Sequence, residues 1–364
     1  MAITINSDRI NIGDTVVQIT PTGIQVVNGH FRAQAIAPST TTGAMGSNYG
    51  YATGGRTGVP GLNDQTNIEK IERWSLTSDG NSASVGALSG AGGGIGMFNN
   101  SSITSAYASG GYAGPPYFSP PGAGNRRSGI NKFPFASSAN STSIGALSTN
   151  IGNPSTGRSD GASLTSEASG YQASGQDGAD YRVTVSKFPF ATDTNATTVS
   201  QVNQQRSGST GASSSSYGYV IAGNQNPTTN VEKVSFATDS NAVSIGQLLG
   251  VGRSSQASQN SLTSAYVSGG YPDPGGSPAV ISSIERFPFA SDVPATSVGS
   301  ITQARRGGPA GVSSTTSGYT AGGYAAASWS SVIDKFPFAT DTNAVSTGSL
   351  LSGKGFFGGH GNVY

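Results

Sequence analysis

Apolar and polar residues alternate along residues 2–35, where Ile3, Ile5, Ile10 and Ile12 are followed by Val16, Val17, Ile19, Ile24, Val26 and Val27. Alternation with a period of two marks half-buried strands. Asn6-Ser-Asp, Pro21-Thr-Gly and Asn28-Gly separate the runs as turns. The pattern predicts a small meander of strands with too little apolar surface to fold alone. Ala37-Pro-Ser-Thr-Thr-Thr-Gly then reads as a linker.

Beyond the linker the pattern repeats. A Lys-Phe-Pro-Phe element occurs six times in varied form, its first aromatic or substitute at Trp74, Phe133, Phe188, Val234, Phe287 and Phe336, spaced 46 to 59 residues apart. A Tyr-x-x-Gly-Gly element occurs six times, around Tyr51, Tyr107, Tyr171, Tyr219, Tyr266 and Tyr319, with Gln176 and Asn224 standing for the second glycine in two copies. Turns such as Asp193 to Asn195, Asp239 to Asn241 and Asp341 to Asn343 follow, where Asp and Asn tolerate the left-handed conformation. Each unit supplies four short β runs, which is one blade of a β-propeller. The chain therefore reads as all-β: a six-bladed propeller over 46–364, preceded by a short β-rich segment over 1–45. The first copy starts at Tyr49 without its opening strand, and 353–364 holds such a strand with no unit after it. Residues 353–364 are accordingly expected to complete the first blade and close the ring, so that no sheet edge remains. The proline of Phe-Pro-Phe has no amide to donate. It is expected at a strand end or bulge, its flanking phenylalanines against a neighbouring blade.

Composition narrows the function. The net charge is +1, which lacks the basic footprint of a nucleic-acid binder. No run of about 20 apolar residues suits a membrane span, and the first residues lack a secretory signal pattern. There is no cysteine and there are only two histidines, His30 and His360, so neither a Cys-based metal site nor a His-based triad is expected. The acids recur at blade positions (Glu72, Glu232, Glu285 and Asp334; Asp79, Asp193, Asp239, Asp292 and Asp341), which spreads them around the ring instead of gathering a catalytic pair. Two cation sets recur likewise: Arg73, Lys132, Lys187, Lys233, Arg286 and Lys335, and then Arg158, Arg206, Arg253, Arg306 and Lys354. They are read as contacts that hold the blades in register. The expectation is a protein that is not an enzyme, with no catalytic residue, metal or cofactor.

Residues that depart from the repeat carry the candidate binding chemistry. The loops between second and third strands vary most and are aromatic. They offer Tyr112, Tyr117, Phe118, Arg126 and Arg127, then Tyr181, Tyr271, Tyr324 and Trp329. Equivalent loops emerge on one face of a propeller, and Tyr, Trp and Arg among Gly and Ser make adaptable recognition surfaces. That face is the expected site for a partner protein or a surface glycan.

The Arg/Gly and Tyr-x-x-Gly-Gly strands resemble a divergent kelch repeat over about 49–364. The Lys-Phe-Pro-Phe-Ala-Thr-Asp-Thr-Asn-Ala version, at 187–196 with Ser186 before it, resembles repeat proteins of marine phages, cyanophages above all. The resemblance implies a virion structural or attachment protein made in the host cytoplasm: a tail fibre, baseplate part or capsid appendage within a larger assembly. Residues 1–45 would join other virion proteins, and the propeller would face a host-surface glycan or protein. The alternative is a soluble carbohydrate- or protein-binding propeller with no viral role.

Overall fold

The computed structural model describes four strands within residues 3–28, and residues 48–58, 66–89, 96–112, 126–147, 157–177, 180–224, 229–248, 252–272, 280–325 and 327–360. The chain divides into two compact units, Met1–Thr42 and Gly43–Tyr364. In the first, Ile3–Asn6, Arg9–Ile12, Thr15–Thr20 and Gly23–Asn28 form an antiparallel meander in chain order. Its register sets Ile5 opposite Ile10, Ile10 opposite Val17 and Val17 opposite Val26.

The second unit is a six-bladed β-propeller, and no helix occurs among the described residues. Blade 2 shows the unit: Phe98–Ser101, Ser105–Ser109, Gly129–Pro134 and Thr142–Ala146 pair antiparallel in chain order. Blade 3 opens with Ala162–Thr165 and Ser169–Ala173, and its last two strands lengthen to Asp180–Pro189 and Thr197–Arg206. Blades 4, 5 and 6 begin with Thr210–Ser213, Ala257–Asn260 and Ala310–Ser313. Blade 1 draws on both ends of the propeller. Tyr49–Thr53, Lys70–Ser75 and Ala83–Ala87 take their innermost partner from Gly358–His360, which sets His360 opposite Tyr51. Proline ends the third strand at Pro134, Pro189, Pro288 and Pro337, where its missing amide interrupts no later ladder bond.

The apolar cores lie at the seams between blades. Tyr107 packs on Phe188 and Phe190 of the next blade at 5.3 and 4.8 Å, and Tyr219 on Phe287 and Phe289 at 5.5 and 5.0 Å. At the closing seam Tyr319 donates its hydroxyl to the Leu76 carbonyl at 3.0 Å, within a cluster that joins Trp74 and Leu76 to Val312, Leu350 and Phe357. The repeated Tyr and Phe-Pro-Phe elements are thus two halves of one contact.

The recurring charges serve the same seams. Lys132, Lys187, Lys233, Arg286 and Lys335 each pair with a turn aspartate of the following blade, respectively Asp193, Asp239, Asp292, Asp341 and Asp79, at 2.8–2.9 Å. Such partly exposed pairs contribute about 0–1 kcal/mol each, so their work is register. Two residues after four of these aspartates, Asn195, Asn241, Asn343 and Asn81 accept an amide from the preceding blade's outer strand. At the first seam Ser138 stands where the aspartate would be, and Arg73 lies over the Tyr49 ring at 4.2 Å.

A second cation set is buried. Arg206, Arg253 and Arg305 pair with Glu232, Glu285 and Asp334 of the blade that begins just after each of them, and Lys354 with Glu72 at 2.9 Å. Arg158 has no acid at this place and donates instead to the carbonyls of Thr184 and Gln172. The sequence reading put Arg306 in this set; the structure puts Arg305 there. The amide of the second glycine after each second strand confirms the alignment. Gly111, Gly175, Gly223, Gly270 and Gly323 donate to the carbonyls of Arg158, Arg206, Arg253, Arg305 and Lys354.

Both residues of that glycine pair are left-handed in all six blades. At the second, φ runs from 93° to 124°, a region essentially restricted to glycine. The first needs only about 60°, and Ser174 (φ 58°) and Ala222 (φ 53°) adopt it. The substitutions therefore fall on the first glycine, and Gln176 and Asn224 are the residues that follow the pair, not replacements within it.

His360 is fully buried and ties the closing strand to two blades. Its Nδ1 lies 3.1 Å from the Asn100 carbonyl and its Nε2 3.1 Å from the Thr53 hydroxyl. A carbonyl only accepts, so the neutral ring carries its proton on Nδ1. Burial pushes the imidazole down to about 4, although the Asn100 carbonyl favours its charged form. Because the unfolded chain takes up this proton more readily, stability falls as pH drops from about 6.5 toward 4, by about 3 kcal/mol in full. Urea unfolding at pH 7 and pH 4.5 should show a larger loss for the natural protein than for His360→Gln. Equal losses would exclude His360 as the source.

Candidate functional site

The innermost strands start at one end of the central channel, on the face that also carries the loops between second and third strands. There each blade contributes a left-handed residue, Gly96, Asp160, Gly208, Ser255, Gly308 and Phe356, with φ between 53° and 64°, and blade 6 adds Gly307 at 70°. Their backbones join in a circle. The amides of Gly96, Asp160, Gly208, Ser255 and Gly308 donate to the carbonyls of Phe356, Gly96, Asp160, Gly208 and Ser255, and Phe356 closes it onto Gly307. This hydrogen-bonded hoop, at 2.6–3.2 Å per bond, fixes the mouth as a rigid rim.

The channel behind the rim is narrow and polar, a cavity of about 120 Å³ lined by Asn99, Ser163, Thr210, Ser258, Gly311 and Gly359 among others. A Cβ on Gly211, Gly311 or Gly359 would collide with the backbone of the preceding blade's inner strand. Asp160 is the one charged residue of the lining. Burial pushes its carboxyl up, against a hydrogen bond at 2.7 Å from the Ser159 hydroxyl and the charge of Arg126. Among the described residues no three of His, Asp and Glu come together as a metal-ligand set.

Around the hoop lies a second ring whose chemistry changes from blade to blade. The residue after each glycine pair is Arg56, Tyr112, Gln176, Asn224, Tyr271 or Tyr324. In five blades it bridges to the residue before the hoop, giving the pairs Arg56 with Gly355, Gln176 with Ser159, Asn224 with Ser207, Tyr271 with Ser254 and Tyr324 with Arg306. The rim is therefore asymmetric. Blades 3 and 4 present amides and serines, whereas blades 5 and 6 present Tyr271, Arg306 and Tyr324.

On the aromatic side the guanidinium of Arg306 lies over Tyr271 at 4.7 Å and Tyr324 at 5.5 Å. Trp329 meets Tyr324 edge-on at 5.3 Å and Phe356 at 5.7 Å. A Cβ on Gly355 would collide with the Trp329 indole, so this glycine allows the indole to settle onto the rim. Phe356 is a bulky residue held at φ 54°, a strain of about 1–2 kcal/mol that the glycines at equivalent places avoid. Strain of this kind concentrates at functional surfaces.

Of the residues expected at the recognition face, Tyr271, Tyr324 and Trp329 are brought together and half-buried. Tyr181 lies apart on blade 3, opposite Gln176. Tyr112 and Arg126 are both buried, at 4% and 7% exposure, bridged to one another, with Arg126 5.7 Å from the Tyr112 ring and donating to the Ser159 hydroxyl. The position after the glycine pair turns them inward. Arg127 is built into a seam, its amide on the Gly111 carbonyl and its own carbonyl accepting from Arg158. Tyr117 and Phe118 lie outside the described residues. The sequence reading did not include Arg306 and Phe356 in the site. Aligning the copies on the glycine pair and the buried cation would have exposed both as departures from the repeat.

Compared with known proteins, the chain matches no family model and no curated protein. Its geometry must speak for its function. No helix among the described residues is long and apolar enough to cross a membrane.

Proposed function

We propose that the chain is a non-enzymatic structural or attachment protein of a virus particle. In this reading the propeller is a rigid head that turns its loop face to a host-surface glycan or protein, and residues 1–45 join other virion proteins. One observation carries it. The charges that recur with the blades are used in building the ring, across seams or inside blades, while the aromatic cluster of Tyr271, Arg306, Tyr324 and Trp329 breaks the repeat at the channel mouth. A half-exposed set of Tyr, Trp and Arg on a hydrogen-bonded frame suits recognition, since little side-chain freedom is lost on binding. The kelch-like and phage-like character of the repeats supports the viral setting.

Mass spectrometry of purified particles tests the setting, and adsorption tests the face. The double change Tyr271→Ala with Tyr324→Ala should weaken binding to host cells at least tenfold, with the melting temperature lowered by only a few degrees. Undiminished binding would exclude this face. A propeller that binds glycans yet is missing from particles would support the soluble binding-protein reading instead.

A further inference from the structure

Arg306 stands where the other described blades carry Ser159, Ser207, Ser254 and Gly355. The structural work of an arginine in blade 6 is done by its neighbour. Arg305 is fully buried, pairs with Asp334 and donates to the carbonyls of Gly322 and Val332. Arg306 is surplus to the seam. Among the described residues it has no carboxylate partner; its side chain meets only the two tyrosine rings. A guanidinium lying over aromatic rings keeps its N–H donors in its own plane, where they remain available to an acceptor at its edge. That fork matches a planar carboxylate through two parallel hydrogen bonds.

The surroundings favour a sugar as the bearer of that carboxylate. Trp329 and Phe356 extend the aromatic surface beside the fork, as stacking on a pyranose face requires. Ser255, Gln256 and Gly308 line the adjoining cavity with small polar groups that can meet sugar hydroxyls. The one acid of that lining, Asp160, belongs to blade 3, whereas Arg306 belongs to blade 6. We propose that Arg306, clamped by Tyr271 and Tyr324, forms a subsite for the carboxylate of an acidic sugar, a uronate of a surface polysaccharide. This rests on the reading of the loop face as a recognition surface, and it names the chemistry recognised there.

The test is titration calorimetry of the full chain with oligosaccharides of galacturonate, glucuronate and mannuronate, each beside its carboxyl-reduced counterpart. At least one acidic oligosaccharide should bind ten times more tightly than its reduced form. Arg306→Ser installs the residue that three other blades carry at this place, so the fold is kept. It should abolish that preference, so that acidic and reduced sugars bind alike. Arg306→Lys keeps the charge without the fork and should recover only part of it. Binding to none of the three, or equal binding by Arg306→Ser, overturns the proposal. So does an Arg306-dependent affinity for poly-glutamate that exceeds that for every sugar. Host-cell adsorption separates the two readings. If Arg306→Ser adsorbs like the natural protein, the subsite is wrong and the attachment reading stands. If uronate binding depends on Arg306 while the protein neither adsorbs nor occurs in particles, the subsite stands and the attachment reading falls.

Discussion

A chain ending at residue 352 should show no cooperative thermal transition. The missing segment supplies the innermost strand of blade 1, whose Gly358, Gly359 and His360 stand opposite Thr53, Ala52 and Tyr51. Its loss exposes the inner edge of a sheet that has no other partner there, and such an edge templates aggregation. Phe357, 6% exposed in the closing core, leaves with it, and burial of a phenylalanine side chain stabilises by about 1.5–3 kcal/mol. Lys354 leaves Glu72 buried without its counter-charge, at a cost of about 3–5 kcal/mol. The His360 bridge to blade 2 and the hoop bond from Gly96 to Phe356 go as well. Together these are comparable with the roughly 5–15 kcal/mol by which a typical domain is stable. Inserting residues 353–364 ahead of Tyr49 in the shortened chain should restore folding, because six residues then separate His360 from Tyr51, as six separate Asn100 from Tyr107 in blade 2. Circular dichroism during heating reads both results. A shortened chain that melts cooperatively at an unchanged temperature would show that the ring does not depend on this strand.

The blades were legible because the repeat is a contact repeat. Tyr107 and Phe190 are distant in sequence, yet each recurs because each needs the other across a seam. The turn aspartates and third-strand cations recur for the same reason, as Lys187 with Asp239 shows. Legibility failed where one residue shifts the frame. Gly307 and Gly308 are both left-handed, whereas blades 3 and 4 have a single such residue at Asp160 and Gly208. The extra residue made Arg306, followed by glycine, look like the repeated cation when Arg305 holds that place. A different slip put Gln176 and Asn224 inside the glycine pair, because Ser174 and Ala222 stand for its first glycine. Tyr112 shows a second limit. Composition marks a loop as aromatic, but only the direction of the chain after Gly111 decides that its tyrosine faces inward. The rim cluster was legible in part: Tyr271, Tyr324 and Trp329 were expected on one face, but the placing of Arg306 over both tyrosines depends on the packing of blades 5 and 6, and that of Phe356 on ring closure.

The second large effect is expected at the buried pair that joins the two ends of the propeller. Glu72 accepts from Lys354 at 2.9 Å, from the Ser82 hydroxyl at 2.7 Å and from the Leu351 amide at 3.0 Å. Burial acts to raise its pKa, but the Lys354 charge and these hydrogen bonds outweigh it and hold the carboxyl below its usual value. Burial lowers the pKa of Lys354, against the pull of Glu72. Glu72→Gln strands the ammonium and should destabilise the propeller by about 3–5 kcal/mol at pH 7. Lys354→Met should cost a similar amount. The double variant should recover much of the loss, because no unpaired charge remains inside. Blade 4 supplies the control, with Arg206 and Glu232 in the equivalent places. In Glu72→Gln the buried lysine has a depressed pKa, so the unfolded chain binds its proton more tightly. Stability then rises with pH until the unfolded lysine, near 10.4, also loses its proton. An arginine does not shed its proton in this range. The deficit of Glu72→Gln should therefore shrink between pH 7 and pH 9.5, while that of Glu232→Gln stays constant. Urea unfolding of both variants at the two pH values decides it: parallel deficits would mean that Lys354 escapes to solvent when its partner is lost, and that this pair does not lock the ring.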